Sequence, residues 1–146
     1  MDEKTIEIQG FTFRMIERDG VRFLESTWPE TVPFASLSVI AWRLLELWDE
    51  EPDIPTVTIS DLSRVTNLSD KDVENLGIFT SRIAAKPNHF LAAWFAEANP
   101  AIELTLRHMV TALTGSDRGV FASRDEAHDA IARAIARRRT PPTGSS

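Results

Sequence analysis

Between Thr56 and Leu76 the chain reads TVTISDLSRVTNLSDKDVENL, and within this stretch Asp61, Ser63, Thr66, Ser69, Asp70 and Asp72 gather hydroxyls and carboxylates. Such groups accept hydrogen bonds from backbone N–H donors, cap helices and set the charge that a partner meets. A hydrolase built on these serines and aspartates would need a base beside the nucleophile. The three histidines, His89, His108 and His128, fall on a predicted strand and two different helices, without the spacing of a catalytic or metal-binding motif. General acid–base work by paired carboxylates would need a cleft that separates their pKa values, which no sequence pattern supplies. The six glycines are scattered through turns and helix ends, so no phosphate-cradling loop is present. With no cysteine there is no disulfide framework, thiolate nucleophile or Cys-ligated zinc. The expectation is a protein without catalysis, cofactor or metal, and the polar stretch is where a functional surface would lie.

The elements around it decide where that stretch lies. Val57 and Ile59 alternate with Thr56, Thr58 and Ser60, the two-residue rhythm of a β-strand. Val73, Leu76, Gly77, Thr80, Ile83 and Ala84 then recur three and four apart, one stripe of a helix. Ser69 precedes that helix with Asp72 three residues on, a spacing that caps exposed N–H groups while the carboxylates suit the positive end of the macrodipole. The polar stretch is therefore predicted as a strand-to-helix junction.

Upstream, Phe11, Phe13 and Met15 form a strand that Asp19-Gly20 turns back into Val21 to Glu25, an N-terminal hairpin. Trp28-Pro29 and Val32-Pro33 interrupt both periodicities, after which Leu37, Ile40, Ala41, Leu44, Leu47 and Trp48 define a first helix. It ends among Glu46, Asp49, Glu50 and Glu51, at the wrong end of the dipole for acidic residues, and that run is read as a solvated helix end. Downstream, His89 to Ala96 is a near-continuous apolar strand. Asn99-Pro100 opens a helix that Thr114-Gly115 closes, Gly119 to Ala122 is a short strand, and Ser123 with Glu126 caps a last helix on Ala127, Ile131, Ala134 and Ile135. The alternation predicts an α/β fold: a single mixed, mostly parallel sheet opened by the hairpin, with four helices mainly on one face. One domain over residues 1–139 and a mobile Pro/Gly/Thr/Ser tail over 140–146 are expected.

The net charge of −6 comes without a basic run on any element except Arg137-Arg138-Arg139, where cations suit a helix C-terminus, so nucleic acid is not an expected partner. The N-terminus MDEKTIEIQG lacks the apolar core of a signal peptide, and no window approaches the ~20 apolar residues of a membrane span. The expected location is the cytoplasm.

The junction resembles the signature of the STAS domain, the fold of bacterial anti-sigma factor antagonists. In that family a strand ends in Asp-Leu-Ser, an apolar pair follows, and an Asp-Ser pair opens the next helix. Here Val57 to Ile59 match the strand, Asp61-Leu62-Ser63 the turn, Val65-Thr66 the apolar step and Ser69-Asp70 the pair, in exchanged order. Lys71 and Asp72 replace the small residues that usually follow. Val120-Phe121, Ser123, Glu126 and Ala127 resemble the final strand and helix opening of the broader STAS and SEC14-like group. The resemblance covers most of Phe11 to Arg137 and implies a non-enzymatic regulatory domain. A protein partner, an anti-sigma factor or kinase-like regulator, would dock over Asp61, Ser63, Thr66, Ser69, Asp70 and Asp72. It further implies that any phosphate switch uses Ser69 or is absent, because Asp70 already supplies a negative charge where the family carries its phosphorylatable serine.

Plain helix capping competes with recognition at Ser69 and Asp70. Core packing competes with ligand binding at Trp28, Trp42, Trp48 and Trp94. Trp42 stands apart because, with Val39 and Leu45, it lies off the main stripe of the first helix, which suggests a homodimer surface. The alternative function is a small-molecule or lipid sensor of the SEC14-like kind, with Phe79, Phe90, Trp94 and Phe95 available to line a cavity.

Overall fold

The computed structural model describes residues 3–32 and 37–139. Pro33, the side chain of Leu37 and the tail 140–146, all named above, lie outside the described residues.

Ten elements follow in chain order: β1 (Glu3–Ile8), β2 (Phe11–Arg18), β3 (Val21–Thr27), α1 (Leu37–Asp49), β4 (Thr56–Asp61), α2 (Asp70–Ala84), β5 (His89–Phe95), α3 (Pro100–Thr114), β6 (Val120–Phe121) and α4 (Arg124–Arg139). The six strands form one sheet in the order β1-β2-β3-β4-β5-β6, antiparallel across the first three and parallel thereafter. Two tight turns fold the antiparallel part. Asp19 and Gly20 both have positive φ, and so do Gln9 and Gly10, the backbone twist that suits a two-residue hairpin loop.

The expected hairpin is therefore β2 with β3, and β1 is an additional strand that the sequence reading missed. Its side chains are mostly exposed at the edge of the sheet, so they carry charge in place of strong apolar alternation. Register with β2, Ile6 opposite Phe13 and Ile8 opposite Phe11, holds it there.

From β3 to β6 each parallel strand lies beside the one before it. Crossovers between neighbouring parallel strands are right-handed, and successive steps in one direction lay their helices on the same face. Accordingly α1, α2 and α3 share a core with that face, in which Ile40, Leu44, Trp48, Leu76, Ile83, Leu106 and Val110 pack on Phe13, Leu24, Trp94 and Val120. The α4 helix follows the last strand and covers the opposite face, where Ala127 and Ile131 pack on Val21, Val57, Ile59, Ala93 and Phe95.

The acidic end of α1 finds its cation far away in the chain. Arg22, on β3, is only 2% exposed. Its guanidinium donates to the Trp48 carbonyl at 3.3 Å, the Glu51 carbonyl at 3.0 Å and Thr56 Oγ1 at 3.1 Å, and lies 4.9 Å from the Trp48 ring centroid. A buried arginine thus donates to one carbonyl of the last turn of α1, that of Trp48, and to one just beyond the helix end, that of Glu51.

Among the described residues, no helix is long and apolar enough to cross a membrane.

Candidate functional site

The junction between β4 and α2 is a loop anchored from below. Leu62 and Val65 are buried, at 0% and 1% exposure, and they fix the path of the polar residues between them. Asp61 Oδ1 accepts from the Ser63 N–H at 2.9 Å, while its Oδ2 takes Arg124 Nη2 at 3.0 Å from the start of α4. Ser63 Oγ accepts from the Glu97 N–H at 2.8 Å. Asn99 Nδ2 donates to the carbonyls of Ser63 and Val65, at 3.2 and 2.7 Å. Thr66 gives both its N–H and its hydroxyl to the Glu30 carbonyl, and Thr31 bridges to Asn67. Two neighbouring loops, β3–α1 and β5–α3, and the first residue of α4 therefore hold the segment.

The predicted capping box is formed. Ser69 Oγ accepts from the Asp72 N–H at 3.1 Å, and Asp72 Oδ2 accepts from the Ser69 N–H at 2.9 Å, so two donors at the start of α2 are satisfied reciprocally. This use of Ser69 is structural in itself.

The six residues singled out from the sequence divide into two groups. Asp61, Ser63 and Asp72 are half-buried and spend their acceptors on neighbouring backbone and on Arg124. Thr66, Ser69 and Asp70 are exposed, together with Arg64, Asn67 and Lys71, which the sequence reading did not select. Asn99 and Arg124 were also missed. Asn99 read simply as a helix opening before Pro100, yet its side chain makes no cap hydrogen bond because it reaches across to the junction.

A second feature lies between the sheet and the three-helix layer, a cavity of about 430 Å3. Phe79 and Trp94 line it, and Phe90 borders it although its ring packs toward α4, where the Arg138 guanidinium lies 4.6 Å from its centroid. Phe95 does not: its strand position turns it to the other face, where it packs under α4, and it leaves the predicted set of four. The floor is more polar than a core floor, since Ser26, Thr58, Ser60 and His89 line it, and Thr80 joins them from α2. Among the described residues the buried Thr80 hydroxyl has no hydrogen-bond partner.

His89 reaches this side through a bulge. Thr56 pairs with His89 but Val57 pairs with Leu91, so Phe90 is an extra residue. A one-residue insertion reverses which face the preceding side chain meets. His89 Nε2 lies 3.0 Å from Thr58 Oγ1, and its ring meets Trp48 edge to face at 5.8 Å. Burial holds its pKa below the ordinary histidine value, while a backbone hydrogen bond with Leu91 acts in the opposite direction.

Of the suggested dimer residues, Val39 and Trp42 are 63% and 67% exposed, whereas Leu45 is half-buried and packs against the main core. The other three tryptophans, Trp28, Trp48 and Trp94, are buried.

Solved structures share this architecture at low sequence identity. The chain superposes on the murine solute carrier 26 family member A9 anion transporter, in its inward-facing state, with a TM-score of 0.57 and 17% identity. That match covers 82% of this chain but only 18% of the transporter. A sulfate transporter family protein from Wolinella succinogenes matches with a TM-score of 0.52 and 21% identity, over 84% of this chain and 92% of that one. An anti-sigma factor antagonist from Mycobacterium paratuberculosis matches with a TM-score of 0.50 and 14% identity, over 84% and 94%. The chain has the STAS fold. No protein-family model matches it, and no curated protein matches it significantly.

Proposed function

We propose that this STAS fold is a regulatory domain that works by association, without catalysis, and docks a protein partner over the β4–α2 junction. The observation that carries this reading is the combination of exposure and rigidity there. Thr66, Ser69 and Asp70 face solvent on a loop tied to Glu30, Glu97, Asn99 and Arg124. A surface already held in one conformation loses little entropy when a partner covers it. The parallel strand order has no reversal, so the crevice in which open α/β sheets bind nucleotides has no place at these strand ends.

The likeness to an anti-sigma factor antagonist supports a partner of the anti-sigma factor or kinase-like class. Asp61, Ser63 and Asp72 would position the loop, and Thr66, Ser69 and Asp70 would make the contact. If the partner phosphorylates the domain, Ser69 is the acceptor: a phosphate there adds about −1.5 to −2 charges beside Asp70 and Asp72 and removes the hydroxyl from its capping role.

The test compares wild-type protein with Asp70→Lys in pull-downs from the source cell, followed by direct titration of the recovered partner. Charge reversal at the helix start is expected to abolish the interaction with α2 intact by circular dichroism. A partner that binds both proteins equally would overturn the reading. Incubation with the recovered kinase and mapping by mass spectrometry checks Ser69, and a phosphate on another residue would remove it as the switch.

A further inference from the structure

We propose that the cavity under α2 and α3 is a binding site for a small amphiphile with an apolar body and one anionic head, of which a medium-chain monocarboxylate is the simplest example. The proposal does not depend on the docking reading, although α2 serves both places: Ser69 caps its start and Thr80 lines the cavity ten or so residues later.

Three observations point to such a ligand. The first is volume, since about 430 Å3 lies within the ~300–1,000 Å3 range of small-ligand sites.

The second is the way in. Strand β6 pairs with Trp94 and Phe95, and among the described residues the first half of β5 has no strand beyond it on that side. The loop after α3 and the C-terminal turns of α2 and α3 surround this gap, and exposed Ala84 stands on its rim. The opening exists because β6 is two residues long.

The third is chemistry. The walls are mostly phenyl, indole and aliphatic groups, which exclude a highly polar occupant such as a sugar or a polyphosphate. Within them the Thr80 hydroxyl is buried with no hydrogen-bond partner among the described residues, an uncommon state for a native side chain and one that a ligand oxygen would relieve. Among the described residues no Asp or Glu lines the cavity, and Arg118 stands at its boundary. Arg118 is exposed, and no described residue forms an ion pair or side-chain hydrogen bond with its guanidinium. A planar guanidinium is matched to a carboxylate, which it binds through two parallel hydrogen bonds. An apolar body in the cavity with its carboxylate at Arg118 uses each of these groups.

Isothermal titration of the full chain with sodium decanoate and, separately, with decan-1-ol tests the assignment. Saturable one-to-one binding of decanoate is expected, with a change in tryptophan fluorescence from Trp94. Arg118→Glu should weaken decanoate at least tenfold and leave decanol unaffected. Ala84→Trp, which adds bulk at the exposed rim and leaves the core intact, should weaken both. Absence of saturable decanoate binding to folded protein would overturn the proposal. So would decanoate binding that Arg118→Glu leaves unchanged, or that Ala84→Trp leaves unchanged.

Discussion

Replacing Arg22 tests whether the acidic end of α1 is closed from within the sheet. In Arg22→Met the side chain keeps its length and apolar stem but loses its three hydrogen bonds and its place over Trp48. Two of the three acceptors have other partners. The Trp48 carbonyl still receives the Glu51 N–H, and Thr56 Oγ1 still contacts the Ile54 carbonyl and Asn88. The Glu51 carbonyl loses its guanidinium donor, but Glu51 is exposed and water replaces the donor, so the loss is about 0.5–1.5 kcal/mol, the net worth of one hydrogen bond. The lost cation–π contact adds about 0.5–2 kcal/mol. Against this, methionine no longer requires a charge to be desolvated, a cost visible in the lowered pKa of Arg22, whose principal cause is burial. One of its nitrogens, Nη2, has no hydrogen-bond partner among the described residues. The balance is a loss of about 1–3 kcal/mol, which for a chain of this length lowers Tm by roughly 2–4 °C per kcal/mol. Arg22→Lys should cost at least as much, because it retains the buried charge without the planar fork that reaches two carbonyls together. Urea unfolding with a common m-value measures both. The reasoning fails if the lysine variant is within about 0.5 kcal/mol of wild type while the methionine variant is not, since charge alone would then explain the site.

The reciprocal cap of α2 should behave as one unit. Ser69→Ala and Asp72→Ala are each expected to cost about 1 kcal/mol, and the double variant less than their sum, because each bond helps to hold the other; urea unfolding of all three variants measures this double-mutant cycle. The His89 pKa is lowered in the folded chain, so below the ordinary histidine value near 6.5 the unfolded chain takes up a proton that the folded one refuses. Stability should therefore fall as pH drops below about 6.5, with this contribution at most about 1.4 kcal/mol per pH unit, and His89→Phe should show a shallower decline in denaturant midpoints between pH 7 and 5. An unchanged slope in that variant would show that carboxylates alone set the acid response.

What could be read from the residues was what neighbours in the chain decide. The strand-to-helix change at the junction, the Ser69–Asp72 box, Pro100 at a helix start and Gly115 at a helix end with φ of 86° all depend on local backbone geometry. The features that were missed depend on distant partners. Strand β1 carries too few apolar residues to announce itself, because only its pairing with β2 makes it a strand. Thr58 and Ser60 alternate with Val57 and Ile59 as the polar side of a half-buried strand would, yet that side faces the three-helix layer. The rhythm reveals two sides without saying which is covered. His89 needed the bulge at Phe90, which no periodicity records. The division of the junction into contact and anchoring residues follows from Glu30, Glu97, Asn99 and Arg124, each far from it in sequence.

The order of the strands has a kinetic consequence. Since every strand lies beside its immediate predecessor, no segment has to wait for a distant one before it can pair. Short loops close sooner than long ones at smaller entropic cost, and folds rich in local pairings reach the native state faster. On a ribosome the sheet can therefore grow sideways in step with synthesis, beginning from the amino-terminal meander. The surface over which α4 finally closes remains open until the last helix has left the exit tunnel.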